Sequence, residues 1–259
     1  MLKPLIIFEL KLVLKAKWLI AYTGFFFLLT ESLYYFNSDS VKVFISLLNI
    51  ILIVMPLVSV IYGTQYFYNS REFMQFLLAQ PLRRRDIFIS SFISSFAAVV
   101  GSFIVGAGIP LIIHEYSRDM VPVIILLVSG GALSGIFLSI GFFIANLFDD
   151  KAKGLGVALI SWFFLCFLYD GFLLGVLYFF RDYPIETPAL LLSILNPNDL
   201  ARLLITLKLD VSAMMGYTGA VYKSVLGTDK GLVLAAIMLM IWFVVPVIFS
   251  MKRFIKKDF

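Results

Sequence analysis

Residues 121–147, VPVIILLVSGGALSGIFLSIGFFIANL, carry no charged side chain from end to end. A bilayer core of about 30 Å is crossed by about 20 apolar residues in an α-helix, so this stretch is predicted to span a membrane. Working outward from it, comparable runs occupy 18–36, 43–66, 87–113, 155–180 and 231–250. The runs are continuously apolar, without the alternation over about ten residues that marks a membrane β-barrel. Lipid also forces each segment to satisfy its own backbone groups, which a helix does. The reading is an all-α polytopic membrane protein with six transmembrane helices, one transmembrane domain over 1–259. Composition agrees. The chain is 61% apolar and 14% charged, with 27 Phe, against about 45–50% and about 25% in soluble domains. Its mean hydropathy is +1.00. A soluble enzyme, a secreted disulfide scaffold and a disordered tail are excluded. The single Cys166 excludes an intramolecular disulfide and a Cys-rich metal site.

The first run is too long for the apolar region of a cleavable signal, and Gly24 is followed by bulky Phe25, Phe26 and Phe27. This segment is expected to be retained. Orientation follows from Lys and Arg. Side one, with the first seventeen residues, the 67–86 and 148–154 loops and the tail, holds fourteen of the 21: Lys3, Lys11, Lys15, Lys17, Arg71, Arg83, Arg84, Arg85, Lys151, Lys153, Lys252, Arg253, Lys256 and Lys257. Side one is therefore read as cytoplasmic, with both ends of the chain inside. The net charge of +5 is then a topology signal, and no nucleic-acid partner is needed to explain it.

Three segments are not spans. In residues 1–17, Leu2, Leu5, Ile6, Leu10, Val13 and Leu14 share a helical face opposite the four lysines. That pattern reads as a helix lying in the membrane interface against anionic headgroups; the other reading is a frayed start to the first span. In 67–86, Ser70 is placed to cap a helix whose first turn holds Glu72. Phe73, Phe76, Leu77 and Gln80 fall at i, i+3, i+4 and i+7, and Pro81 stops the helix before three arginines. An apolar face on a short cytoplasmic helix suits a protein partner or the bilayer surface; a basic loop with one helical turn is the plainer reading. The loop 181–230 is too long for a mere connector. Its Asn196-Pro197-Asn198-Asp199 reads as N-cap, Pro at the first helical position and an acid in the first turn. Leu200, Leu203, Leu204 and Leu207 then form an apolar stripe. A second segment, 210–222, is rich in small residues. The loop is expected to fold as an outer cap of one or two short helices.

Chemistry is sparse. There is no G-x-x-x-x-G-K-[ST] phosphate loop and no H-E-x-x-H, and one His cannot build a two-histidine metal site. Asp170 and Glu31 are the carboxylates placed inside spans, and an intramembrane acid is a functional candidate. The alternative is a structural acid, protonated or bonded to a hydroxyl or the backbone. No intramembrane Lys or Arg is available to pair with either. His114-Glu115, at the outer end of the third span, reads as a solvated loop more than as a ligand pair, and Cys166 as a small apolar packer. Met214-Met215 offers soft sulfur ligands of the kind Cu(I) prefers, but adjacent methionines point apart on a helix, which favours packing. Gly131-x-x-x-Gly135 and Gly171-x-x-x-Gly175 allow close helix approach.

Six spans, a basic interfacial start and an acid-led helix between spans two and three resemble an ABC-2 type transporter permease. Arg71-Glu72 followed by Leu77-Leu78-Ala79-Gln80-Pro81-Leu82-x-Arg84 is similar to that family's coupling segment, which docks on a separate ATPase. Residues 195–220, LNPNDLARLLITLKLDVSAMMGYTGA, resemble the branch of the family that serves copper-site maturation of nitrous oxide reductase. The resemblance implies an inner-membrane homodimer bound to two copies of a cytoplasmic ATPase, with ATP and Mg on that partner and no cofactor on this chain. It also implies a periplasmic partner of β-helical type. Arg71, Glu72, Phe73, Phe76, Leu77, Pro81 and Arg84 would couple to the ATPase. Asn196, Pro197, Asp199, Arg202, Asp210 and Tyr217 would dock the periplasmic partner. The chain itself would be non-catalytic. Either ATP-driven rocking reshapes the periplasmic partner, or the same motion exports a small or lipidic substrate. A membrane scaffold, or an intramembrane enzyme using Asp170, is the third class. The Phe-rich, charge-poor spans favour the first.

Overall fold

A computed structural model describes residues 2–37, 39–115, 120–179, 191–209 and 216–257, with side chains placed except at 177, 207–209 and 216–230. In chain order the helices are α1 (Leu2–Leu14), α2 (Lys17–Phe36), α3 (Ser40–Asn69), α4 (Arg71–Leu78), α5 (Arg84–Glu115) and α6 (Val121–Leu147). α7 (Lys151–Phe163) runs through a π-helical turn, Phe164–Leu168, into α8 (Tyr169–Phe179). α9 (Pro197–Leu209) and α10 (Gly216–Lys256) complete the described order. Among the described residues six stretches are long and apolar enough to cross a membrane: α2, α3, α5, α6, Lys151–Val176 and Gly231–Lys256. The expected all-α, six-span architecture is found.

α6 is apolar all round and sits in the middle, as such a helix should. Its small residues let neighbours close in. A Cβ on Gly141 would stand 2.7 Å from Val60 O on α3, and one on Gly63 would stand 2.9 Å from Leu138 O on α6. Leu47, Ile51 and Met55 of α3 then meet Leu133, Ile136 and Phe137 of α6 in the main core, all fully buried. Gly135 is pressed by Phe96 and Phe243, whereas nothing in the chain lies within 4 Å of a Cβ on Gly171 or Gly175. Only the first of the two glycine pairs is used for packing within the described chain.

Pro56, inside α3, lacks the N–H that would bond the carbonyl four residues back. That carbonyl, Leu52 O, faces the Cys166 thiol at 3.8 Å, and the neighbouring Ile53 O accepts the Trp162 indole N–H at 3.1 Å. The defect in α3 is thus answered by α7 and the π turn. The fifth run is found as a span, Lys151–Val176, and it carries a π turn where it meets this defect.

The outer loop is corrected. α10 starts at Gly216 and continues without a break to Lys256, so 216–230 is the same helix carried on beyond the last span, Gly231–Lys256. α9 does not sit on top of the bundle. Leu200, Ala201, Leu203 and Ile205 are buried within the main core, against α6 and α10. The apolar stripe that suggested an amphipathic cap finds its partner inside the chain. α1 packs along α5, with Ser94 Oγ donating to Ile6 O at 3.0 Å.

Candidate functional site

α4 is too short to be stable alone and is held by its inward side chains. Met74 and Leu77 are buried among Phe67, Ile87, Phe88, Phe142 and Phe254. Phe73 is half-buried, its ring centroid 6.0 Å from that of Phe8 on α1. The stripe expected from sequence therefore splits: Leu77 faces in, while Phe76 is 62% exposed. The outward face is Glu72, Gln75, Phe76 and Ala79, continued by exposed Gln80 and Pro81. Ser70 does not cap α4. Its hydroxyl donates back to Tyr66 O at 2.6 Å and closes the end of α3.

Arg71 and Arg84 are both engaged within the chain. Arg71 pairs with Asp149 in the α6–α7 connection, and Lys257 pairs with the same carboxylate at 2.8 Å. The two cations hold Asp149 down at about 2, below the usual carboxylate range. Arg84 donates to Ile255 O at 3.0 Å and to Lys257 O at 2.8 Å, covering carbonyls that the end of α10 leaves open. The side-chain amide of buried Asn146 donates to Ser250 O at 3.0 Å, and its backbone carbonyl accepts the Arg253 Nε–H at 3.1 Å. One polar seam thus ties the start of α4, the end of α6 and the end of α10. Asp149 was not singled out from sequence, although an acid in so basic an end of the chain is a visible signal.

Glu9 is a second residue the sequence reading passed over. It is 1% exposed, inside the apolar face of α1. Ser90 and Ser91 donate to it at 3.0 and 3.1 Å, and Tyr66 OH at 3.4 Å. Burial pushes the carboxyl up to about 7, against the pull of those hydroxyls. Its position four residues after Leu5 and four before Val13 could have revealed it. Glu9 and Phe73 line one cavity of about 440 Å³, so α1 and α4 meet there.

At the far end, α9 enters the bundle beside the π turn. The capping read from sequence is found: Asn196 Oδ1 accepts the Asn198 N–H at 3.1 Å, with Pro197 first in the helix. Asn198 Nδ2 donates to Cys166 Sγ at 2.8 Å. Cys166 is therefore a tether between α3 and α9, more than a packer. Arg202 reaches Asp170 at 3.6 Å and Asp199 at 3.8 Å. Burial, and the Asp170 carboxylate beside it, push Asp199 above the usual carboxylate range. Asp170 thus has a cationic partner, contrary to expectation, because the helix carrying Arg202 is drawn into the bundle. Asn196, Pro197 and Asp199 are buried, which corrects their placement on an outer docking surface. Arg202 is half-exposed. Asp210, Met214 and Met215 lie outside the described residues, as does the side chain of Tyr217 on α10.

Glu31 also has a partner. His114 Nε2 lies 3.1 Å from its carboxylate, and the His114 ring stacks on Tyr34 at 4.3 Å. Tyr34 OH donates to Glu115 at 3.1 Å. His114-Glu115 is on α5 and joins it to α2, so the solvated-loop reading is replaced. Among the described residues no group of three or more His, Cys, Asp or Glu side chains is placed to hold a metal ion.

The arrangement is a membrane bundle with a docking-sized helix at one end, a polar seam behind it and an inserted helix at the other end. The family described as "ABC-2 family transporter protein" matches residues 5–259. The chain is also similar to "Probable ABC transporter permease protein NosY" of Pseudomonas aeruginosa (strain PAO1), with 27% identity over 223 residues, covering 78% of this chain and 80% of that protein. Six apolar helices and a family match over nearly the whole length agree on a multi-pass transporter membrane subunit, whose family implies an ATPase partner: this chain belongs to the ABC-2 family of transporter proteins.

Proposed function

We propose that this chain couples a separate cytoplasmic ATPase to conformational change at the opposite membrane face, in the service of copper-site assembly in nitrous oxide reductase. The observation that carries the reading is the shared Asp149 carboxylate, which joins Arg71 at the start of α4 to Lys257 after α10. A push on the outward face of α4, through Glu72 and Phe76, reaches α6 and α10 by that seam. α9 packs on the same two helices, so their relative movement displaces α9 and the segment after it. Closed packing makes such an assembly switch between arrangements rather than deform smoothly. The copper assignment rests on the similarity to NosY and on the 195–220 stretch.

In this reading the basic end is cytoplasmic, the membrane is the inner one and the chain works as a homodimer. ATP and Mg bind the partner ATPase, and no cofactor binds here. Asn196, Pro197 and Asp199 hold α9 from beneath. Arg202, with Asp210 and Tyr217 beyond it, serves a periplasmic partner of β-helical type. The test is affinity purification of the tagged full chain from gently solubilised native membranes. An ATPase together with a repetitive periplasmic protein supports the reading; an ATPase alone moves it to a general exporter of a small or lipidic substrate.

A further inference from the structure

We propose that the cavity between the Leu147 end of α6 and the Lys256 end of α10 is a binding site for the phosphate of an anionic phospholipid. The cavity measures about 680 Å³. One wall is apolar, made by Phe143 and Leu147 of α6 and Phe249 of α10. The other carries Lys252, Arg253, Lys256 and Lys257, against the single carboxylate of Asp149. Phe249, Lys252, Arg253 and Lys256 fall at i, i+3, i+4 and i+7, so one stripe of α10 turns from apolar to basic where the span ends.

The charges are not spent on each other. Asp149 is taken by Lys257 and Arg71, while Lys252 and Lys256 form no ion pair among the described residues. Arg253 donates its Nε to Asn146 O at 3.1 Å, which orients the guanidinium and leaves its terminal nitrogens directed elsewhere. A guanidinium held in this way suits the paired oxygens of a phosphate. Lys252, Arg253 and Lys256 are all exposed.

The apolar wall decides between the sources of phosphate. A free phosphate has no use for Phe143, Leu147 and Phe249. A soluble acidic protein would not reach along a slot that runs into the span. A lipid uses both parts, with its headgroup on the basic stripe and an acyl chain along the wall; basic pockets between membrane helices take such headgroups. The proposal needs only the six spans and stands whether or not the ATPase reading does.

The test is native mass spectrometry of the full chain in neutral detergent, with equal dioleoylphosphatidylglycerol or dioleoylphosphatidylcholine added. The phosphatidylglycerol complex should dominate. In a variant combining Lys252→Gln, Arg253→Gln and Lys256→Gln that preference should fall about tenfold or more, whereas Arg83→Gln with Arg85→Gln, exposed at the same basic end but outside the cavity, should keep it. Phe249→Ser, which leaves the charges in place, should weaken phosphatidylglycerol binding too, and it serves if the triple variant does not fold. Equal retention of phosphatidylglycerol by wild type and both cavity variants would overturn the proposal. Displacement of the lipid by millimolar inorganic phosphate would overturn it in favour of a free-anion site. Loss of ATPase co-purification in the triple variant with undiminished lipid binding would overturn it in favour of a protein contact.

Discussion

Lys257 stands 2.8 Å from Asp149 and so fastens the end of the last helix to the connection between α6 and α7. The same carboxylate takes Arg71, and the position of α4 is thereby made dependent on α10. Asp149 is highly exposed, so its value to stability is small; its value here is geometric. Asp149→Ala should leave the chain folded and able to bind an ATPase, with ATP hydrolysis no longer altering the far face. The pair is charged over the whole working range. With its pKa lowered to about 2 from 3.8, the contribution is present above about pH 4 and is lost only as pH falls towards 2. Coupling measured between pH 6 and 8 should therefore show no titration from this site.

Glu9 should give the opposite pH dependence. Its folded pKa is raised to about 7 from 4.5, so the folded chain holds the proton more tightly than the unfolded one. Stability is highest below about pH 4.5 and declines as pH rises towards 7, by on the order of 3 kcal/mol across that window. Thermal unfolding in detergent at pH 5 and pH 8 should show the lower midpoint at pH 8. Glu9→Gln should flatten the difference, and an unchanged slope in that variant would remove Glu9 as its source.

The two faces of α4 should separate in mutagenesis. Met74→Ala or Leu77→Ala removes buried contacts and should cost about 2–5 kcal/mol of stability. Phe76→Ala and Glu72→Lys should leave unfolding unchanged and cut ATPase co-purification several-fold. Equal ATPase recovery with Phe76→Ala would show that the exposed ring is idle.

At the π turn, Arg202 compensates two carboxylates. Arg202→Gln should destabilise more than Asp170→Asn, because it leaves Asp170 and buried Asp199 facing each other. In a double-mutant cycle the two changes should be non-additive, with a coupling of about 0.5–3 kcal/mol. Strict additivity would mean the 3.6 Å contact carries nothing.

The spans were legible because lipid permits only a helix or a closed barrel, and the unbroken apolar run 121–147 selects the helix. The cap at Asn196 was legible for a related reason: its chemistry is local and its partner is two residues away. α4 was half legible. Phe73, Met74, Phe76, Leu77 and Leu78 offer more than one apolar stripe, and only the bundle decides that Met74 goes in and Phe76 stays out. Long-range pairs were not legible. Asp170 seemed to lack a cation because Arg202 lies on a segment whose polarity suggested an outer cap. That its apolar stripe matched a slot beside α6 and α10 is a tertiary fact. The π turn was hidden for the same reason, since it answers Pro56 more than a hundred residues earlier.

The central claim is that ATPase action on α4 moves the far end of the bundle. The direct measurement uses the reconstituted complex of this chain with its ATPase, carrying Cys166→Ser and an environment-sensitive probe on Tyr217→Cys. Addition of ATP and Mg should change the probe signal, and Asp149→Ala should abolish the change while ATP is still hydrolysed. A probe that stays silent on ATP in the otherwise native complex, while hydrolysis proceeds, would contradict the account.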